Sequence, residues 1–103
     1  MMERTNREEE TSSNTDLELS EPPLYRVLLH NDHYTTMEFV IEVLEKIFHK
    51  TASEATGIML AVHQSGVGLC GVYPFEIAET RVRLVEKHAR DCGFPLLCTM
   101  EEV

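Results

Sequence analysis

Three polar side chains in this sequence could together hold a small cation. Asn31 and Asp32 directly follow an apolar segment, and His63 lies at the end of another. An amide oxygen, a carboxylate and a neutral imidazole nitrogen each accept a hydrogen bond, which suits a primary ammonium group. The same Asn31-Asp32 pair is also typical of a turn whose side chains cap the following helix. The residues alone leave both interpretations open.

The spacing of potential ligands does not support a metal or cofactor site. His30, Asp32 and His33 lie close together, but no HExxH motif and no pairing of two Cys with two His accompanies them. Residues 66–71 spell GxGxxG, yet they open a predicted strand instead of leading into a helix, which is not the context of a dinucleotide site. We therefore predict no metal and no cofactor.

The three cysteines, Cys70, Cys92 and Cys98, form no CxxC motif and lie on or beside apolar segments. We expect free thiols that pack as small hydrophobic residues. A small hydrolase that uses Cys70 or Cys98 with a nearby His is the enzymatic alternative, but no strained elbow or oxyanion loop supports it. We predict that the protein is not an enzyme.

The charge balance weighs against several classes of partner. The chain has 103 residues, with 18 acidic and 9 basic side chains and a formal net charge of -9, whereas nucleic-acid binders normally show a basic face. No apolar run approaches the roughly 18 residues that a membrane span needs. The polar start of the chain does not match a secretory signal. We expect a cytoplasmic protein that binds neither nucleic acid nor membrane.

The chain divides into two regions at Pro22-Pro23. Residues 1–21 carry seven acidic and two basic side chains and few apolar ones, so we predict a disordered acidic extension. Residues 22–103 hold nearly all the apolar residues and are long enough to fold as one domain.

Helix starts are predicted by two capping boxes, Thr35 with Glu38 and Thr51 with Glu54, and Gly66 predicts the end of the second helix. A third helix follows Pro74. The predicted core-facing stripes are Met37, Val40, Ile41, Leu44, Ile47 and Phe48; then Ala55, Ile58, Met59 and Val62; then Ile77, Ala78, Val82, Val85 and Ala89.

Strands are predicted at residues 24–30, 67–73 and 96–100, where apolar and β-branched residues concentrate. Gly68 and Gly71 indicate a bulge or a close backbone contact in the second strand. The order β-α-α-β-α-β predicts a small α+β domain, with three helices packed on one face of a three-stranded sheet.

Four stretches carry a resemblance to a known family: YRVLLHND at 25–32, YTTMEFV at 34–40, MLAVH at 59–63 with Gly66 and CGV at 70–72, and EIAETRV at 76–82 with PLLCT at 95–99. Residues 22–103 thus resemble the ClpS family, adaptors of the ClpA-type AAA+ unfoldase and its ClpP protease in the bacterial N-degron pathway. The resemblance implies an antiparallel sheet. It also implies a monomeric adaptor that binds proteins whose first residue is Leu, Phe, Tyr or Trp and delivers them for degradation.

The resemblance also assigns roles to residues. Asn31 and His63 would hydrogen-bond the α-amino group of the substrate, Asp32 would fix the loop and the first peptide unit, and Met37 would gate the pocket. The residues implied to line the pocket are Thr35, Val40, Met59, Val62 and Leu96.

Docking on the N-terminal domain of the unfoldase is implied for Glu76 and Arg81, although an exposed polar helix face would show the same residues. Arg81 stands where the family usually has Lys. In the family, the N-terminal extension engages the unfoldase pore.

Two positions depart from the family pattern. His33 stands where a second Asp is usual, and Thr36 where Pro is common. Because His33 removes a negative charge and adds a positive one below about pH 6.5, we expect substrate binding to weaken as the pH falls from about 8 to 6. The departure keeps open an alternative, a modulator that docks on the unfoldase without recognising N-terminal residues.

Overall fold

Three strands and three helices follow one another in the predicted order β-α-α-β-α-β. The computed structural model describes residues 21–103, so the predicted extension lies, apart from its last residue, outside the described residues. The elements are β1 (Leu24–His30), α1 (Met37–Lys46), α2 (Ala52–Ser65), β2 (Val67–Pro74), α3 (Phe75–Cys92) and β3 (Leu97–Glu102). No helix within residues 21–103 is long and apolar enough to span a membrane.

The sheet is antiparallel, with β1 in the centre and the strand order β2-β1-β3. Val27 and Leu29 of β1 are fully buried, because one face of the sheet packs against the core. Val27 pairs with Gly71 while Leu28 pairs with Leu69, which leaves Cys70 as the extra residue of a β-bulge. The α+β prediction and the irregular second strand are both confirmed.

The start of α1 corrects one prediction. Thr36, not Thr35, is the N-cap, and its hydroxyl oxygen accepts a hydrogen bond from the Phe39 N–H at 3.1 Å. Thr35 instead donates its N–H and its hydroxyl hydrogen to Asp32, so its side chain belongs to the loop. The predicted capping box of Thr35 with Glu38 is therefore wrong.

The start and end of α2 follow the sequence signals. The Thr51 N–H donates to Glu54 at 2.9 Å, and the Glu54 N–H donates to the Thr51 hydroxyl at 3.1 Å, so both halves of this capping box are present. Gly66 ends the helix with a φ of +88° and donates to the Val62 carbonyl.

The core lies between the helices and one face of the sheet. Phe39 and Val43 of α1 are buried there in addition to the predicted stripe, whereas Ile77 of α3 is exposed. Cys70 and Cys98 are buried as expected, but Cys92 is exposed near the end of α3, which contradicts its predicted packing.

Candidate functional site

The loop between β1 and α1 is organised by one carboxylate. Oδ1 of Asp32 accepts hydrogen bonds from the N–H groups of Tyr34 at 2.8 Å and Thr35 at 2.7 Å, and Oδ2 accepts from the Thr35 hydroxyl at 2.7 Å. Partial burial acts to raise the pKa of Asp32, but these hydrogen bonds and the nearby His33 outweigh it, so the pKa is lowered. Asp32 is therefore the residue that shapes this loop.

A backbone contact brings the loop to the end of α2. The N–H of Asn31 donates to the Gly66 carbonyl at 2.9 Å, and His63 lies in the last turn of the same helix. Asn31 and His63 consequently line the same cavity although 32 positions separate them in the chain.

The cavity has a volume of about 230 Å³ and joins a polar side to an apolar side. Its lining residues are Asn31, Asp32, His33, Thr35, Met37, Val40, Met59, Val62 and His63. At roughly 30 Å³ per water molecule in the liquid, this volume equals that of about seven or eight waters. The space therefore suits one large side chain. The apolar wall comes from the facing surfaces of α1 and α2.

The wall residues differ in their exposure. Val40, Met59 and Val62 are buried, so their positions are held by the core, whereas Met37 at the start of α1 is 44% exposed. Only Met37 among the four is free to change its rotamer without repacking the core.

Ten residues were assigned to the amine site, to the apolar pocket or, in the case of His33, to a departure from the family pattern. Nine of these ten line this cavity. Leu96 does not; it is buried in the core just before β3. Gly66, whose carbonyl anchors Asn31, was missed as a site residue, since its only sequence signal was that of a helix end.

The two predicted docking residues lie on α3 in different environments. Glu76 is exposed in the first turn. Arg81 is half-buried, donates to the Ile47 carbonyl at 2.8 Å and lies 5.1 Å from the centre of the Tyr73 ring. Arg81 therefore joins α3 to the end of α1 and to β2, whatever else it contacts.

The cysteine-hydrolase alternative fails on burial. Burial raises the pKa of the Cys98 thiol to about 12 and also raises that of Cys70, so neither sulfur is a thiolate near neutral pH. In the part of the chain described, no group of three or more His, Cys, Asp and Glu side chains is arranged to hold a metal ion.

Comparison with known proteins identifies the family. A family model described as "ATP-dependent Clp protease adaptor protein ClpS" matches residues 20–99. The chain belongs to the ClpS family. It is 62% identical over 86 residues to the ClpS adapter protein of Nitratidesulfovibrio vulgaris (strain DSM 19637 / Miyazaki F), covering 84% of this chain and 86% of that protein. With the ClpS adapter protein of Shewanella piezotolerans it shares 50% identity over 101 residues, 98% of this chain and 99% of that protein.

A solved ClpS structure has the same fold. The structure of Agrobacterium tumefaciens ClpS2 bound to L-phenylalaninamide superimposes with a TM-score of 0.78 and 35% sequence identity, covering 81% of this chain and 100% of that one. This ClpS chain is thus an adaptor protein of the ATP-dependent Clp protease.

Proposed function

We propose that the cavity binds the first residue of substrate proteins that begin with Leu, Phe, Tyr or Trp, and that the adaptor delivers them to a ClpA-type unfoldase and ClpP. The observation that carries the proposal is that hydrogen-bond acceptors and an apolar wall line one cavity. L-Phenylalaninamide, which ClpS2 binds, combines a free α-amino group with a large apolar side chain. That pair of features matches the two sides of the cavity.

The polar side supplies acceptors for the amine. An α-amino group has a pKa of about 7.7–8.0 and is largely cationic near neutral pH. The Asn31 amide oxygen and a neutral nitrogen of His63 would each accept one N–H. Asp32 would hold the loop in place and meet the first peptide unit. An acetylated first residue would leave these acceptors without a donor.

The apolar side supplies affinity and selects side chains. Burying a Leu or Phe side chain contributes about 1.5–3 kcal/mol, and each charge-assisted hydrogen bond contributes about 1.5–3 kcal/mol. After the costs of association and ordering, the sum is compatible with micromolar binding. Met37, exposed at the cavity, would gate the entrance and disfavour β-branched side chains.

Binding of labelled peptides tests the proposal. Fluorescence anisotropy at pH 7.5 should show binding of peptides that begin with Leu, Phe, Tyr or Trp, weaker binding with Ile, and none with N-acetyl-Leu. His63→Ala should weaken binding at least about tenfold, because one charge-assisted hydrogen bond is lost. Gln64→Ala is the matched control, since Gln64 is the next residue of α2 and does not line the cavity. Equal binding of the acetylated peptide, or of His63→Ala, would contradict the amine assignment.

We also propose that α3 docks on the N-terminal domain of the unfoldase through Glu76 and Arg81. Glu76→Ala should weaken a pull-down with that domain, whereas Glu86→Ala, another exposed carboxylate of α3, should not. Arg81 also contacts Ile47 and Tyr73. Arg81→Lys, the usual residue of the family, should therefore keep docking, whereas Arg81→Gln should weaken it. Docking that persists in a protein that binds none of the peptides would favour the alternative, a modulator without N-terminal recognition.

A further inference from the structure

A second group of reactive side chains lies where α1 packs against α3, outside the peptide cavity. The Sγ atom of Cys92 is 4.0 Å from Nδ1 of His88, and Nε2 of His88 is 2.6 Å from Oε2 of Glu42. The His88 ring also packs on the Phe39 ring, with 5.0 Å between their centres and 31° between their planes. The imidazole is therefore held by contacts from two helices.

These contacts determine which nitrogen carries the proton. The hydrogen bond from His88 is the main reason why the pKa of Glu42 is lowered, so Glu42 is ionised near neutral pH and can only accept. Nε2 of His88 must then be the donor. In the neutral imidazole this leaves the lone pair on Nδ1, directed to the thiol of Cys92. A nucleophile, a base and a group that orients the base thus follow one another, and the sulfur–nitrogen distance of 4.0 Å is the outer limit of a hydrogen bond to sulfur.

Cys92 is also the one accessible thiol of the protein. The chain has three cysteines, all within the described residues, and Cys70 and Cys98 are buried. A reagent that requires a solvated sulfur can therefore reach only Cys92.

An open cavity of about 330 Å³ adjoins His88 between the two helices. Ile47 and Leu84 supply its apolar surface, and Lys46, Lys87 and Asp91 also line it. Lys46 is 3.8 Å from Glu42, and Lys87 is 2.8 Å from Asp91. These four side chains, together with Arg90 beside Asp91, are charged groups near the thiol and the imidazole. The space admits a small molecule whose carboxylates would face the two lysines.

We propose that Cys92 is a thiol-modification site that forms a mixed disulfide with low-molecular-weight disulfides carrying carboxylates, with His88 as the base and Glu42 and Phe39 as positioning residues. Nδ1 of His88 takes the thiol proton, and the Cys92 sulfur attacks one sulfur of the small disulfide. The old S–S bond breaks, a new one joins Cys92 to half of the reagent, and the other half leaves as a thiolate that takes the proton from His88. Cys92 is oxidised and the small disulfide is reduced.

Two reagents test the site on the full chain. Incubation with oxidised glutathione followed by intact-protein mass spectrometry should give a single adduct, absent in Cys92→Ser. With 5,5′-dithiobis(2-nitrobenzoate), one thiol should react fast and the other two only after unfolding. His88→Gln, which keeps a side chain able to donate to Glu42, should slow the fast phase about tenfold at pH 7, because a free thiol is only a few per cent ionised there. His49→Asn is the control for loss of an exposed histidine elsewhere.

The pH profile separates a base from a purely structural histidine. A general base contributes its own step to the rate–pH profile, so the profile of the unaltered protein should contain a step that is absent from the profile of His88→Gln. Glu42→Gln, a second variant that leaves His88 in place, should slow the reaction less. Rates and profiles unchanged in both variants, or a first adduct on Cys70 or Cys98, would overturn the proposal. Peptide binding should be unaffected throughout, so failure here is distinct from failure of the proposed function.

Discussion

Replacing Gly68 with alanine should destabilise the domain and also distort the cavity that Asn31, His63 and Val62 line. A Cβ atom at Gly68 would lie 2.6 Å from Cγ2 of Val62 and 3.1 Å from the carbonyl oxygen of Ile58. Valine in a helix has one strongly preferred rotamer, so Val62 cannot turn away at low cost, and the Ile58 contact is backbone. The added methyl group must push α2 away from β2.

The expected cost is that of overpacking a buried contact, about 1–3 kcal/mol. Gly57 provides the opposite case within α2, because a Cβ there meets nothing within 4 Å. Gly57→Ala should stabilise the protein by about 0.5–1 kcal/mol, since alanine in a helix interior loses less conformational entropy on folding than glycine. The two variants add the same methyl group and are predicted to differ in sign.

Urea denaturation followed by circular dichroism measures both effects. With an m-value of about 1–1.5 kcal/mol per M, Gly68→Ala should lower the midpoint by about 0.7–3 M and Gly57→Ala should raise it by about 0.3–1 M. Because Val62 lines the cavity, Gly68→Ala should also weaken binding of a peptide that begins with Phe, whereas Gly57→Ala should not. A midpoint for Gly68→Ala equal to that of the unaltered protein would refute the packing argument, and unchanged binding would refute its link to the cavity.

Two further predictions concern the loop. Between pH 8 and 6, peptide affinity should fall more in the unaltered protein than in His33→Asp, because an imidazole that gains a proton repels the substrate ammonium; superimposable anisotropy titrations would remove the idea. Because the pKa of Asp32 is lowered in the folded state, its stabilisation is present above its ordinary pKa and is lost as the pH falls through the lowered one. At pH 7, Asp32→Asn should therefore be less stable than the unaltered protein, by less than about 1 kcal/mol because the carboxylate is largely solvated. In thermal unfolding, this difference in stability should shrink toward pH 3. A difference that does not depend on pH would show that the charge of Asp32 is irrelevant.

Signals that lie within one segment were sufficient for most of the fold. Thr51, Glu54 and Gly66 bound α2 as their types predict, because each contact involved spans only three or four residues. The wrong prediction at Thr35 also concerns local contacts, but a third residue, Asp32, has to be taken into account. Thr35 and Thr36 are both good caps, but Asp32 holds the Thr35 side chain in the loop, and Thr36 accepts from the helix.

The candidate site depends on contacts between distant segments, which the pattern of any one segment does not predict. Asn31 meets α2 through the Gly66 carbonyl, a contact between positions 35 residues apart, so the residues alone could not distinguish a turn from a binding group. The resemblance to the ClpS family indicated which residues form the amine site and the pocket. The structure brings all of these residues except Leu96 to one cavity. Their roles in binding stay predictions. Cys92 and His88 are four residues apart on α3, but Glu42 reaches them only because α1 packs alongside.

The hydrogen bonds of Asp32 bear on how the proposed site would hold an amine. Three donors of the chain occupy three of its roughly four acceptor positions. The one that remains on Oδ2 would serve the first peptide unit, and the amine would meet Asn31 and His63, which are uncharged when they accept. Binding would then rest on hydrogen-bond geometry and on burial against Met59 and Val62 more than on an ion pair. A site of that kind loses little affinity with added salt and much affinity on acetylation. His33 stands where the family usually has a carboxylate, and the loss of that negative charge shifts the balance further in the same direction.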